Sequence, residues 1–246
     1  MSVRILAIET STLSCSVALF QDGETVHAEQ RCEERHVHAS NLLPMIDAAL
    51  KSVGWHAQDL SALAVCSGPG SYTGLRIGTS TAKGICHAHS IPLIGINSLE
   101  IQAHHLAETE APNEGDRVIA VMDARRDEVY TQTFEWQGDR FAALDETRAL
   151  VIRQDASASE LFPQAGTSAT VIGDAAAKTE QLTAGMKVDW RFVHAFPTAA
   201  SARIPAHRAW AAQAFEDVAY FTPAYLKDFQ AGQPKDPLGL RKQAAP

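Results

Sequence analysis

No C-x-x-C pair occurs in this chain, and its four cysteines, Cys15, Cys32, Cys66 and Cys86, stand far apart. Isolated thiols in a protein of 246 residues argue against a disulfide scaffold and suit a reducing, cytoplasmic setting. Positive charge is in deficit: 21 Lys and Arg face 29 Asp and Glu, a formal net charge of −8. Free-standing nucleic-acid binders usually carry a basic surplus, so this balance argues against one without excluding a partner that contacts RNA on its behalf. Long apolar runs are missing too. No window approaches the ~18–20 apolar residues of a membrane span, and the run "ILAI" ends at Glu9, too short for a secretory leader. These absences predict a soluble, cytoplasmic protein with no membrane partner.

Templates for bound phosphate and metal are missing as well. The stretch "SGPGSYTGLRIG" (67–78) has four glycines and follows an apolar strand candidate, "LSALAVC" (60–66). A dinucleotide fingerprint fits Gly68 and Gly70 but fails at Thr73, where the third glycine belongs. A Walker-A loop needs a Gly-Lys pair that this stretch does not have. A nucleophile elbow fails because Pro69 stands two before Ser71. Zinc sites on helices pair histidines four apart, and none of the ten histidines has another at that spacing. The loop reads instead as a turn into a helix capped by Ser71 or Thr73.

What is present is an α/β pattern. "VRILAIET" (3–10), "SCSVALF" (14–20) and "ETVHAEQ" (24–30) predict three strands, the last two joined by the turn "QDG". Leu42, Ile46, Ala49, Leu50 and Val53 share one face of a helix ended by Gly54, with Pro44 in its first turn if Ser40 or Asn41 is the cap. A buried strand, the glycine loop, a helix over 73–89, a strand over 91–96 and a helix over 99–108 follow. That is βββαβα in the first 110 residues. After a connection at 110–116, "RVIAVMDARRDEVYTQTFEW" predicts two strands around a turn at 124–127, echoing the opening meander as in an internal duplication. The pattern over 141–193 is short and mixed. An alanine-rich segment, 198–215, predicts one helix bent or broken at Pro205, and the Pro- and Gly-rich tail (229–246) predicts disorder.

Two features bear on function. Gly74, Gly78 and Ala82 form a stripe without bulk along the helix after the loop. Interior glycines cost roughly 0.5–1 kcal/mol each relative to alanine, so another backbone must approach closely there. A neighbour within the chain and a partner protein fit that stripe equally well. Second, Glu9 ends the first strand and precedes the hydroxyls of Thr10, Ser11 and Thr12, while Asp123 ends a later strand before Arg125 and Arg126. An acid followed by hydroxyls at a β-turn is the layout by which actin-like ATPases hold phosphate and magnesium. "ETST" lacks the glycine that lets backbone reach phosphate. A framework with weakened nucleotide capacity at Glu9, Thr10, Ser11 and Asp123 is therefore expected, while each residue taken alone is better read as capping its turn.

Taken together, "ILAIETSTLSCSVAL", "HASNLLPMI", "GPGSYTGLRIG", "PLIGINSLE", "DARRDEVY" and "PAYLKD" resemble the TsaB (YeaZ) family over nearly the whole chain, about residues 5–228. The resemblance implies an actin-like (ASKHA, RNase H-like) α/β fold with two lobes, each on a βββαβα core. The first lobe would span 1–110 and the second, smaller or degenerate, 111–228, before a tail at 229–246. It implies a non-catalytic accessory subunit with no catalytic residue, no metal and no obligatory cofactor, with at most weak ATP or ADP binding. Members serve the placement of threonylcarbamoyladenosine next to the tRNA anticodon, and dock on a TsaD-like transferase through helices of the first lobe. Here that surface would comprise Leu42, Leu43, Ile46, Leu50, Gly74, Leu75, Gly78 and Ala82. The transferase's two metal-binding histidines would fall at Ser98 and Gln102, neither a nitrogen ligand. A TsaE-like ATPase joins the complex, a TsaC-like synthase supplies the threonylcarbamoyl-adenylate, tRNA is reached indirectly, and the chain alone would homodimerise. On this reading Gly74→Leu or Gly78→Leu keeps the lobe folded and weakens docking. The rival readings are an independent ATPase or phosphotransferase using Glu9 and Asp123, and a metal-dependent transferase in its own right.

Overall fold

The computed structural model describes residues 2–32, 38–153, 155–166 and 168–227. The tail expected to be disordered, 229–246, lies outside the described residues.

The opening meander forms as its turn chemistry dictates. β1 (Arg4–Glu9) pairs antiparallel with β2 (Ser14–Gln21), and β2 with β3 (Glu24–Cys32). Asp22 and Gly23 join β2 to β3 with φ of 54° and 87°, the left-handed pair that two-residue hairpins need. The chain then crosses through α1 (His38–Ser52) to β4 (Ala62–Gly68), and through α2 (Tyr72–His89) to β5 (Leu93–Asn97). Both strands run parallel to β1, giving the order β3-β2-β1-β4-β5. α3 (Ser98–Thr109) leads to the second sheet.

That sheet repeats the plan. β6 (Arg117–Asp123) and β7 (Glu128–Trp136) are antiparallel, and β8 (Phe141–Ala143) and β9 (Arg148–Val151) both pair with β7. β8 lies against one end of β7 and β9 against the other, a third strand broken in two. After α4 (Ala158–Leu161), β10 (Ser168–Gly173) runs parallel to β6, and after α5 (Ala176–Thr183), β11 (Asp189–His194) runs parallel to β10. The order β11-β10-β6-β7-β8 is the first sheet's order again. Two such mixed sheets in tandem are the duplicated actin-like architecture that the sequence suggested.

Three expectations change. α1 starts at His38, so Pro44 lies inside the helix and not in its first turn. It is tolerated on the exposed side, away from the packed face of His38, Leu42, Met45, Ile46, Ala49 and Leu50. The single helix expected over 198–215 is instead a 3₁₀ turn, Ala200–Ala202, leading into α6 (Arg203–Ala211). Pro205 now falls in the first turn of α6, where a missing amide costs nothing. Finally, the chain does not stay with the second lobe to residue 228. Ala199, Ala202, Ala206 and Phe221 join the core under the first sheet. α3 does the reverse: its Leu99, Ala103 and Leu106 pack with Val118, Ala120, Met122, Phe134 and Phe141. Each lobe thus holds apolar surface lent by the other's stretch of sequence.

Candidate functional site

The carboxylate that ends β1 is shut inside the protein. Glu9, Thr10, Ser11 and Thr12 are all buried. Glu9 accepts the Ser11 amide at 2.6 Å, and the Thr10 amide donates to Cys66 Sγ at 3.3 Å. Burial, only partly offset by hydrogen bonds from Ser11, pushes the Glu9 carboxyl from 4.5 to about 7. The Cys66 thiol is raised well above its ordinary value by burial and by the neighbouring Glu9 charge. Neither group is exposed to react.

What closes the loop is the glycine-rich start of α2. The Ser71 amide donates to the Ser11 carbonyl at 2.6 Å, and Ser71 Oγ caps the helix by accepting the Gly74 amide at 3.3 Å. A methyl group on Gly74 would lie 2.0 Å from the Thr10 carbonyl oxygen, and one on Gly78 would lie 2.3 Å from Thr10 Oγ1. Gly70, at φ +154°, approaches the Ser11 carbonyl in the same way. The stripe's close neighbour is therefore the β1–β2 turn of the same chain. A nucleotide phosphate at Glu9, Thr10 and Ser11 would have to displace α2.

Asp123, the counterpart at the end of β6, lies open to solvent. It accepts Lys178 Nζ at 2.8 Å and the Arg125 amide at 3.0 Å, and its own amide donates to Asp174 at 3.0 Å. Partial burial works to raise its pKa, but the Lys178 ammonium and the Arg125 amide outweigh it and hold the carboxyl below its usual range. Asp174 is lifted to about 6, first by burial and then by the Asp123 charge. No hydrogen bond or ion pair among the described residues joins Glu9 to Asp123; each is tied within its own sheet.

The expected docking residues divide sharply. Leu42, Ile46, Leu50, Leu75 and Ala82 belong to the first core, and Gly74 and Gly78 are covered by Thr10. Leu43 alone faces outward, 58% exposed. Seven of the eight expected docking residues thus face inward, and other residues form the solvent side of these helices. Their outer face carries a shallow groove of about 480 Å³ lined by Ala39, Tyr72, Thr73, Arg76, Ile77, Ser80 and Thr81. Helical period marks an apolar face but favours its buried side, so the outer residues gave little signal.

Ser98 and Gln102, where the resemblance puts the transferase's metal ligands, are both buried, and Ser98 Oγ and both Gln102 amide atoms lack hydrogen-bond partners among the described residues. A hydroxyl and an amide do not form a transition-metal pair. Nearby His104 is held by its two ring nitrogens, Nδ1 2.9 Å from the Glu100 carbonyl and Nε2 accepting the Phe141 amide at 3.3 Å. Burial lowers its pKa to about 4, as a neutral Nδ1–H ring requires. It is a core histidine.

The sequence reading gave "PAYLKD" no role. Its residues 223–227 lie in a strap that ties the lobes together. Lys83 Nζ donates to the Ala219 and Phe221 carbonyls, both at 3.0 Å, and the Ala224 amide donates to the Ser67 carbonyl at 2.7 Å. Tyr225 stacks at a tilt on Tyr72, with centroids 5.1 Å apart. Lys227 then reaches the second lobe, donating to the Ala124 carbonyl at 3.1 Å and pairing with the Glu128 carboxylate. A separate cavity of about 910 Å³ lies far along the second lobe, floored by Phe162, Leu182, Met186 and Val188.

This geometry defines an actin-like fold in which the first lobe's β1–β2 turn is covered by its own second helix. Comparison with known proteins narrows the class. The family described as "TsaD: tRNA N6-adenosine threonylcarbamoyltransferase" matches residues 33–234. The tRNA threonylcarbamoyladenosine biosynthesis protein TsaB of Escherichia coli K12 is 38% identical over 148 residues, 58% of this chain and 62% of that protein. The Haemophilus influenzae TsaB is 37% identical over 129 residues, 52% of each chain. The match thus spans little more than half the length of these curated relatives. The solved structure of YeaZ from Pseudomonas aeruginosa superposes with a TM-score of 0.77 at 27% identity, covering 91% of this chain and all of that one. The chain belongs to the TsaB/YeaZ branch of this family.

Proposed function

We propose that this chain is a non-catalytic subunit that heterodimerises with a TsaD-like transferase and activates it for threonylcarbamoylation of tRNA adenosine next to the anticodon. The observation that carries the reading is the closed loop at the end of β1. An actin-like enzyme needs that loop open to phosphate, whereas here three glycines seat α2 on it and leave Glu9 buried. Kinship with the transferase family supports the pathway, and the unsuited pair Ser98 and Gln102 supports leaving metal chemistry to the partner. Docking uses the outer face of α1 and α2, centred on Leu43, Tyr72, Arg76 and Ile77. The same face joins two copies when the transferase is absent. A TsaE-like ATPase completes the assembly, and a TsaC-like synthase supplies the threonylcarbamoyl-adenylate.

The test is co-purification with the same cell's TsaD-like protein, followed by assay of tRNA modification with and without this chain. Modification that depends on both is the expected result. Sustained, Glu9-dependent ATP hydrolysis by the purified chain alone would instead establish the rival phosphotransferase.

A further inference from the structure

The turn between β6 and β7 does something that the scaffold role does not need. Arg125 and Arg126 are both exposed and both left-handed, with φ of 72° and 54°. Neither is Gly, Asn or Asp, the residues that reach this region at little cost. Strained backbone of this kind clusters at functional sites, where the surrounding structure holds it in place.

No ion pair among the described residues holds either guanidinium, although the Arg125 charge joins that of Lys178 in stabilising the Asp123 carboxylate. Asp123, just before the turn, is taken by Lys178 from α5, and Glu128, just after it, by Lys227 from the strap. Two lysines brought from distant parts of the chain thus pair with the carboxylates on either side of the turn. Among the described residues no carboxylate lies within ion-pair distance of Arg125 or Arg126. Six other arginines, Arg31, Arg117, Arg140, Arg191, Arg203 and Arg208, do pair with acids. Arg4, Arg76, Arg148 and Arg153 lack an acid too among the described residues, so what is distinctive in a chain of net charge −8 is the adjacency of two exposed arginines on a positive-φ turn.

From this geometry we infer that Arg125 and Arg126 grip backbone phosphates of the tRNA when this chain sits in its complex. Guanidinium forks match phosphate oxygens in pairs. Both side chains stand exposed, which suits a strand of RNA passing over the turn better than a small nucleotide that needs a cleft. The inference rests on the tRNA-modification reading above, and it gives the acidic subunit a direct contact with the RNA.

The experiment compares complexes of the transferase partner with wild-type chain, with the double variant Arg125→Asn/Arg126→Gly, and with Arg125→Lys/Arg126→Lys. Complex formation is read first by size exclusion, then affinity for unmodified tRNA transcript across a salt series. The Asn/Gly variant relaxes the turn, so its thermal midpoint should hold or rise while tRNA affinity falls at least tenfold. Its slope of log K against log salt should shrink by about 1.4–1.8, two phosphates' worth. The Lys variant should keep most of the slope. An intact Asn/Gly complex with unchanged tRNA affinity and slope overturns the inference alone. Equal loss in both variants also overturns it, because charge is then not what matters. Loss of ATP binding with tRNA binding retained assigns the doublet to a nucleotide and overturns it too. Failure of wild-type chain to form any complex defeats the scaffold reading, and this inference with it.

Discussion

Two glycines in one helix should respond in opposite directions to the same substitution. Gly74 and Gly84 both lie within α2. At Gly84 an added methyl meets nothing within 4 Å, so Gly84→Ala should gain the helix preference of alanine, roughly 0.5–1 kcal/mol. At Gly74 the methyl would sit 2.0 Å from the Thr10 carbonyl oxygen. That oxygen is backbone, fixed by the end of β1, so it cannot swing aside as a side chain would. α2 must lift off the β1–β2 turn, straining the bond from the Ser71 amide to Ser11. Overpacking of this kind costs about 1–3 kcal/mol or more. Less the helix gain, Gly74→Ala should lose about 0.5–2 kcal/mol, and Gly74→Leu should cost the fold itself. Urea unfolding followed by circular dichroism reads both variants. For a chain of this size each kcal/mol moves the thermal midpoint by about 2–4 °C, so the two alanine variants should separate clearly. A Gly74→Ala protein as stable as wild type would show that α2 does not seal the loop, and the closed-site reasoning would fall with it.

Other consequences are open to measurement. Glu9 is raised from 4.5 to about 7 in the folded protein, so its contribution to stability is fully present below 4.5 and is lost as pH rises through 7. That rise corresponds to on the order of 3 kcal/mol. Glu9→Gln should therefore flatten the pH dependence and outlast wild type in urea at pH 8, with little difference at pH 4.5; equal pH profiles would contradict the buried neutral acid. Leu43→Asp changes an exposed side chain, so stability should stay within about 0.5 kcal/mol while association with the transferase weakens at least tenfold. Leu42→Asp, one residue along, should unfold the first lobe, and tolerance of it would mean the helix face is misassigned. Lys227→Met removes the strap's grip on the second lobe, so hydrogen exchange should quicken at the 124–128 turn and near Ser67, with β2 unchanged as the internal reference.

Much of the first lobe was legible in order because its signals are local. "QDG" prescribes a left-handed hairpin turn, Leu42, Ile46 and Leu50 prescribe a buried helix face, and Ser71 prescribes a cap. The second lobe was harder beyond β7, because β8 and β9 split one strand into pieces of three and four residues. Fragments that short carry no period. α6 was misjudged for a related reason: Pro205 announces a break, but whether it ends one helix or starts another depends on what it packs against.

The candidate site shows the same division. Sequence alone determined that something must press closely on Gly74 and Gly78, because only a near neighbour justifies interior glycine. It also fixed Glu9 and Asp123 at strand ends. Tertiary structure decided that the neighbour is Thr10 of the same chain, that Glu9 is sealed while its counterpart Asp123 is open, and that Lys178 and Lys227 arrive to neutralise the acids around Arg125 and Arg126. Spacing along a chain encodes periodicity and turn geometry. Which backbone lies across a gap, and which charges meet there, depends on contacts between residues 50 or more positions apart, and no local pattern records them.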